Sequence, residues 1–224
     1  MSKYSVNTSE GILEYQQSVY DLLRRIFLWE FPLAIFDLLV TTSKTAEGEQ
    51  SFSPAEQPLF NYLKSISNGD IPTVYKEIQI EYARLFVGPY HLPTPPFESV
   101  YRTPAHLMMQ EITIDVRTAY SKNGFQVVKM NQEPDDHIGL EFEFVYAMSG
   151  KALEAFQKMN LEKLAEFVSE QDEFCQDHLF KWVPEFCHDL KNSTKLEFWR
   201  AVAEFTESFL KEQMQNKTAC NTTF

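Results

Sequence analysis

Residues 133–150, EPDDHIGLEFEFVYAMSG, decide the fold class. Ile138, Phe142 and Val145 recur at i, i+4 and i+7, and Leu140, Phe144 and Met148 fill the adjoining stripe. That is helical spacing, apolar around much of the circumference, and it belongs at the centre of a helical bundle. Asp135 and Asp136, just ahead of the first apolar residue, read as its N-cap.

Working outward, helix signals recur on both sides. Ser53-Pro54-Ala55-Glu56 combines an N-cap, Pro at N1 and Glu at N3, opening a helix expected to close at Asn68-Gly69. Asp70-Ile71-Pro72 starts the next, running to about Phe86, and Thr103-Pro104 another, ending at Asn123-Gly124. Asn160 begins a short helix, and Thr194-Lys195-Leu196-Glu197 reads as a second capping box. Phe174, His178, Trp182 and Phe186 form an i+4 ladder with a kink expected at Pro184, and Phe198, Val202, Phe205 and Phe209 form another. An amphipathic first helix spans about Ser9 to Trp29, and only Phe125–Met130 reads as extended. The expectation is an all-α fold of about eight or nine helices. A single domain covers 1–212, and 213–224 form a polar, frayed tail.

Composition narrows the partners. The 224 residues carry 20 Lys+Arg against 32 Asp+Glu, a net charge of −12, with 44% hydrophobic and 14% aromatic residues. Such a chain folds, and its charge argues against binding nucleic acid or an anionic membrane surface. It suits a basic partner. Three cysteines late in the chain imply no disulfide framework. No apolar run is long enough to span a bilayer, and the N-terminus has no signal-peptide core, so a cytoplasmic protein is expected.

Standard chemistry is largely excluded. The seven glycines lie too far apart for a P-loop or a Gly-x-Gly-x-x-Gly turn. Cys175-x-x-His178 and Cys187-His188 suggest a metal cluster, but on one straight helix Cys187 stands about 18 Å from Cys175. Buried thiols and a hydrogen-bonded core histidine are the plainer reading, with no metal, catalytic group or cofactor expected. Arg24-Arg25-Ile26-Phe27-Leu28 has the core of a twin-arginine export signal, yet acids at 10, 14, 21, 30 and 37 surround it, so two exposed arginines on an amphipathic helix are expected. The anomaly is Val87–Thr103, VGPYHLPTPPFESVYRT, with prolines at 89, 93, 95 and 96. A connection this long in a helical domain is usually functional, and its apolar residues favour an ordered loop held against the helices.

Tyr82-x-x-Leu85-Phe86-x-Gly88-Pro89, Pro95-Pro96-Phe97-Glu98-Ser99-Val100-Tyr101, and Glu133-Pro134-Asp135-Asp136-His137-Ile138-Gly139-Leu140-Glu141 together resemble the TorD/DmsD family of redox-enzyme maturation chaperones. Phe174-x-x-x-His178-Leu179-x-x-Trp182-x-x-x-Phe186 is similar to its C-terminal pattern, while Phe97 stands where the family often carries Trp. The resemblance implies a cytoplasmic all-helical chaperone that binds the twin-arginine signal peptide and the apo catalytic subunit of a molybdenum oxidoreductase. It would support cofactor insertion and delay export until assembly is complete. The resemblance admits monomers and domain-swapped homodimers.

A leader offers two arginines and an apolar segment, so a receptor needs carboxylates beside an apolar groove. Glu98, Asp135 and Asp136 are the candidate acids, with Leu85, Phe86, Pro95, Pro96, Phe97, Val100 and Tyr101 as wall and Tyr82, Ser99 and His137 as further leader-binding contacts. Each has a plainer role: Asp135 and Asp136 as caps, Leu85 and Phe86 as core, His137 as a hydrogen-bonding partner of the proline loop. Gly88, Pro89 and Gly139 are read as conformational or close-packing positions. Two other functions stay open: an assembly scaffold for a non-exported metalloenzyme, and a nucleotide-binding or enzymatic derivative using Asp136 with His137.

Overall fold

The apolar stretch around Phe142 is helical as its spacing requires. The computed structural model describes residues 9–45, 52–89, 91–104, 107–127 and 134–221, with side chains as far as 215. Among the described residues ten α-helices follow in chain order: α1 Ser9–Phe27, α2 Leu33–Thr45, α3 Gln57–Ser65, α4 Ile71–Tyr82, α5 Glu98–Arg102, α6 Glu111–Lys122, α7 Ile138–Gln157, α8 Leu161–Asp177, α9 Leu179–Ser193 and α10 Glu197–Asn221. No strand occurs among the described residues, so the fold is all-α. None of these helices is long and apolar enough to cross a membrane.

The chain divides into two compact units, crossing at Glu30/Phe31, Pro95/Pro96 and Trp182/Val183. One unit holds α1, α5–α8 and the first turn of α9. Here Phe142 stacks on Phe27 at 6.0 Å between ring centroids and lies 6.3 Å from Tyr20, joining α7 to α1. On the other side, Phe144 meets Phe174 at 4.6 Å and Tyr120 at 4.9 Å, joining α7 to α8 and α6. The α1–α7 contact is close enough to demand glycine: a Cβ on Gly139 would stand 2.6 Å from Leu28 Cγ and 3.1 Å from the Leu28 backbone nitrogen.

The other unit holds α2–α4, the rest of α9, and α10. Phe31, Phe36 and Phe198 cluster at 6.0–6.3 Å, and the ladder Phe198, Val202, Phe205, Phe209 is fully buried, as its spacing required. After α4 a π-helical turn, Ala83–Val87, ends at Gly88 with φ +24, a conformation that favours glycine.

Local signals fared unevenly. The Ser53–Glu56 capping box forms, with the Glu56 N–H donating to Ser53 Oγ and the Ser53 N–H to Glu56 Oε2 at 2.9 Å. Asn160 caps α8 through the Lys163 N–H, although that helix runs 17 residues. Helix α3 stops at Ser65, and Gly69 sits in a 3₁₀ turn instead of closing it. Helix α6 starts at Glu111, well beyond Thr103-Pro104. Its end agrees better, with Gly124 at φ +77. The Phe174–Phe186 ladder is broken at His178, which ends α8, while Pro184 lies inside α9. Thr194 forms no reciprocal box with Glu197; its hydroxyl accepts from Leu196 N–H and bonds Glu81. The proline loop contains a helix, α5, and α10 continues through Asn221. Half of the extended reading at 125–130, residues 128–130, lies outside the described residues.

Candidate functional site

In the unit built on α7, the second half of the proline loop meets the start of that helix. Phe97 and His137 form an isolated antiparallel bridge. The Glu98 N–H donates to the Asp136 carbonyl at 3.0 Å, and the Ile138 N–H to the Pro96 carbonyl at 2.9 Å. His137, not Asp135 or Asp136, is the N-cap of α7: its Nδ1 accepts from the Gly139 N–H at 3.1 Å. The accepting nitrogen is therefore unprotonated and Nε2 carries the hydrogen. Burial favours that neutral form and depresses the pKa to about 4.

The motif acids turn inward. Asp136 is fully buried, accepting from the Ser99 N–H and the Thr113 hydroxyl at 2.8 Å each. Asp135 receives two guanidinium donors of Arg117, Nε at 3.0 Å and Nη2 at 2.6 Å, and its carbonyl accepts from Tyr120 Oη. Glu98, also fully buried, contacts Arg102 and holds His178 Nδ1 at 2.9 Å. Hydrogen bonds to charged groups are worth about 1.5–3 kcal/mol each, so these acids fasten α5 and α6 to the start of α7. Val100 and Tyr101 remain partly open on α5.

A second layer surrounds Glu98. Glu141 is fully buried on α7 and accepts from the Trp182 indole at 3.1 Å. Burial, then the charge of Glu98, then that of Asp136, push its pKa well above the carboxylate range; the Trp182 bond opposes them. A protonated Glu141 is the arrangement low dielectric favours among neighbouring acids. Beside the Arg117–Asp135 pair a cavity of about 390 Å³ opens, bordered by Tyr120, Gly124 and Phe125.

Tyr82, Leu85, Phe86 and Pro95 belong to the other unit. Leu85 is fully buried, and Phe86 packs edge-on to Trp199 at 5.2 Å and on Phe186 at 6.1 Å. Beneath them Glu81 accepts from Arg84 at 2.7 Å, the Lys195 N–H at 2.7 Å and the Thr194 hydroxyl at 3.1 Å. Burial works to raise its pKa, but these partners prevail and hold it at about 2.

The sequence pointed to the acids and missed their partners. Arg102, Thr113 and Arg117 stood in no motif, and Glu141 and Trp182 carried no assigned role. Arg24 departs from expectation: it is buried, bonded to Asp21 and Glu30, and lies 4.7 Å from the Tyr146 ring. His178 is the hydrogen-bonded core histidine expected, and among the described residues no three His, Cys, Asp or Glu are placed to hold a metal.

Residues 54–188 match the family model described as nitrate reductase delta subunit. Among curated proteins, the chain is 25% identical over 162 residues to the chaperone protein TorD of Vibrio parahaemolyticus, covering 72% of this chain and 73% of that one. It is 27% identical over 137 residues to the probable Tat proofreading chaperone DmsD of Haemophilus influenzae, 61% of this chain and 60% of the relative. Against the Tat proofreading chaperone DmsD of Salmonella typhi the identity is 24% over 155 residues, 69% and 66% of the two chains.

Proposed function

The chain belongs to the nitrate reductase delta subunit family and, within it, with the TorD and DmsD chaperones; from that premise we propose that it is a cytoplasmic proofreading chaperone for a twin-arginine-exported molybdenum oxidoreductase. It binds the leader and the apo catalytic subunit, supports cofactor insertion and holds back export. It catalyses nothing itself and needs no cofactor of its own.

The observation that carries this reading is the junction of the proline loop with the α7 start. The second and third motifs of the resemblance, Pro96–Ser99 and Asp135–Ile138, meet there, tying α5 and α6 to the helix at the centre of the unit. The motif acids then act as frame: Glu98, Ser99, Asp135, Asp136 and His137 fix the backbone that presents Val100 and Tyr101 to a leader, while Phe97 is buried edge-on to His137. Pro96 belongs to the same junction, while Tyr82, Leu85, Phe86 and Pro95 shape the other unit. A net charge of −12 speeds encounter with a cationic tag more than it tightens the complex. Micromolar affinity, about −8 kcal/mol, would retain a client and still release it.

Calorimetric titration with a synthetic leader peptide tests this. Low-micromolar binding that weakens at least tenfold when both peptide arginines become Gln is the expected result. Binding indifferent to that change would instead favour an assembly scaffold for a non-exported enzyme.

A further inference from the structure

Helix α6 has two faces with different tasks. Thr113, Val116 and Tyr120 are buried, and Thr113 and Arg117 are tied to Asp136 and Asp135. Glu111, Ile114, Asp115 and Thr118 follow i, i+3, i+4 and i+7 on the opposite face and are all exposed. Ahead of the helix, Leu107, Met108 and Met109 are 57%, 48% and 61% exposed, and Ile114 is 60% exposed.

Three large apolar side chains in a row are not left in water by accident of patterning, because this turn is built. The Gln110 side-chain amide donates to the Met108 carbonyl at 3.0 Å. Met109 holds φ +58, a left-handed conformation that an unbranched bulky side chain rarely adopts. Met109 and Ile114 occupy the N′ and N4 positions, which commonly close on each other as a hydrophobic staple. Here both stay open. Methionines adapt to apolar partners of varied shape, and Glu111 and Asp115 flank Ile114 with negative charge.

We propose that Leu107, Met108, Met109 and Ile114 seat the apolar segment that follows the paired arginines of a leader, with Glu111 and Asp115 facing its cationic end. This placement rests on the leader-binding reading above and adds where the apolar segment lies. Charge decides the occupant: an apolar peptide with an arginine pair matches an apolar rim bordered by carboxylates, whereas a like-charged acidic partner is repelled.

The test is calorimetric titration of the full chain with a synthetic peptide of Arg-Arg-x-Phe-Leu followed by a leucine- and alanine-rich run. A second peptide has that run replaced by serines. The double variant Met109→Glu/Ile114→Glu alters exposed positions only, and its melting curve checks that it folds. The variant should bind the first peptide at least tenfold more weakly than the unaltered chain, and should no longer distinguish the two peptides. Met109→Leu/Ile114→Val should restore both affinity and discrimination. Equal affinity of the unaltered chain and the glutamate variant would overturn the placement while leaving the leader reading standing. No binding of either peptide to the unaltered chain would overturn both. Self-association of the unaltered chain in sedimentation velocity, abolished in the glutamate variant, would assign the rim to a second copy and overturn the placement.

Discussion

At the scale of single residues, two neighbouring buried groups pull on protons in opposite directions. Glu141 takes up a proton more readily folded than unfolded, because burial and the charges of Glu98 and Asp136 disfavour its anion. Its contribution is fully present below the unfolded value near 4.5 and is lost as pH rises through the higher folded value. His137 does the reverse. Its folded pKa of about 4 lies below the ordinary 6.5, so its contribution is present above 6.5 and lost as pH falls toward 4. Protonating Nδ1 would also set a donor against the Gly139 N–H that it now accepts. Glu141→Gln keeps an acceptor for the Trp182 indole and removes the titration. Urea denaturation should show the variant more stable than the unaltered chain at pH 8, with the gain vanishing near pH 4.5. A destabilised variant at pH 8 would show that Glu141 is ionised and paired in the folded chain.

At the scale of elements, the contact of α1 with α7 turns on one hydrogen atom. Gly139→Ala would bring Cβ within 2.7 Å of two Leu28 side-chain carbons and 3.1 Å of backbone. Leu28 follows α1 directly and its N–H donates to the Arg24 carbonyl at 2.8 Å, so that backbone has little freedom to give way. Overpacking of this kind costs about 1–3 kcal/mol. The thermal midpoint should fall accordingly, and Leu28→Ala in the same chain should recover part of the loss. What was legible in the sequence follows from how locally each element is specified. The caps at Ser53 and Asn160 use donors three residues away and were readable. Gly139 stood out as a close-packing position, but Leu28 as its neighbour did not. Asp135 and Asp136 look like caps because their type and position fit, yet their side chains are claimed by Arg117, Thr113 and Ser99, between 18 and 37 residues distant. Pro184 was the obvious place to break the ladder. Instead the chain bends at His178, whose side chain reaches Glu98, 80 residues earlier, and no local rule announces that pairing.

At the scale of the molecule, the two units answer to different protons. The unit of α10 draws on Glu81, held at about 2 by Arg84, the Lys195 N–H and Thr194 against the cost of its burial. That contribution is present above the ordinary value of 4.5 and is lost only as pH falls from there toward 2. The unit of α7 responds nearer neutrality, with His137 losing and Glu141 gaining as acid is added, so the two act in opposite directions in the unaltered chain. Removing Glu141's titration uncovers the difference. In the Glu141→Gln chain, amide hydrogen exchange, corrected for its intrinsic pH dependence, should show protection in α7 declining from about pH 6.5 downward. Protection in α10 should hold until pH falls below about 4.5, because local opening reports the stability of the unit that opens. Adding His137→Asn, which keeps an N-cap side chain and cannot titrate, should bring the α7 decline to lower pH while leaving α10 unchanged. A single decline shared by α7 and α10 in the Glu141→Gln chain would mean that the units unfold as one cooperative body, with no proton belonging to either alone.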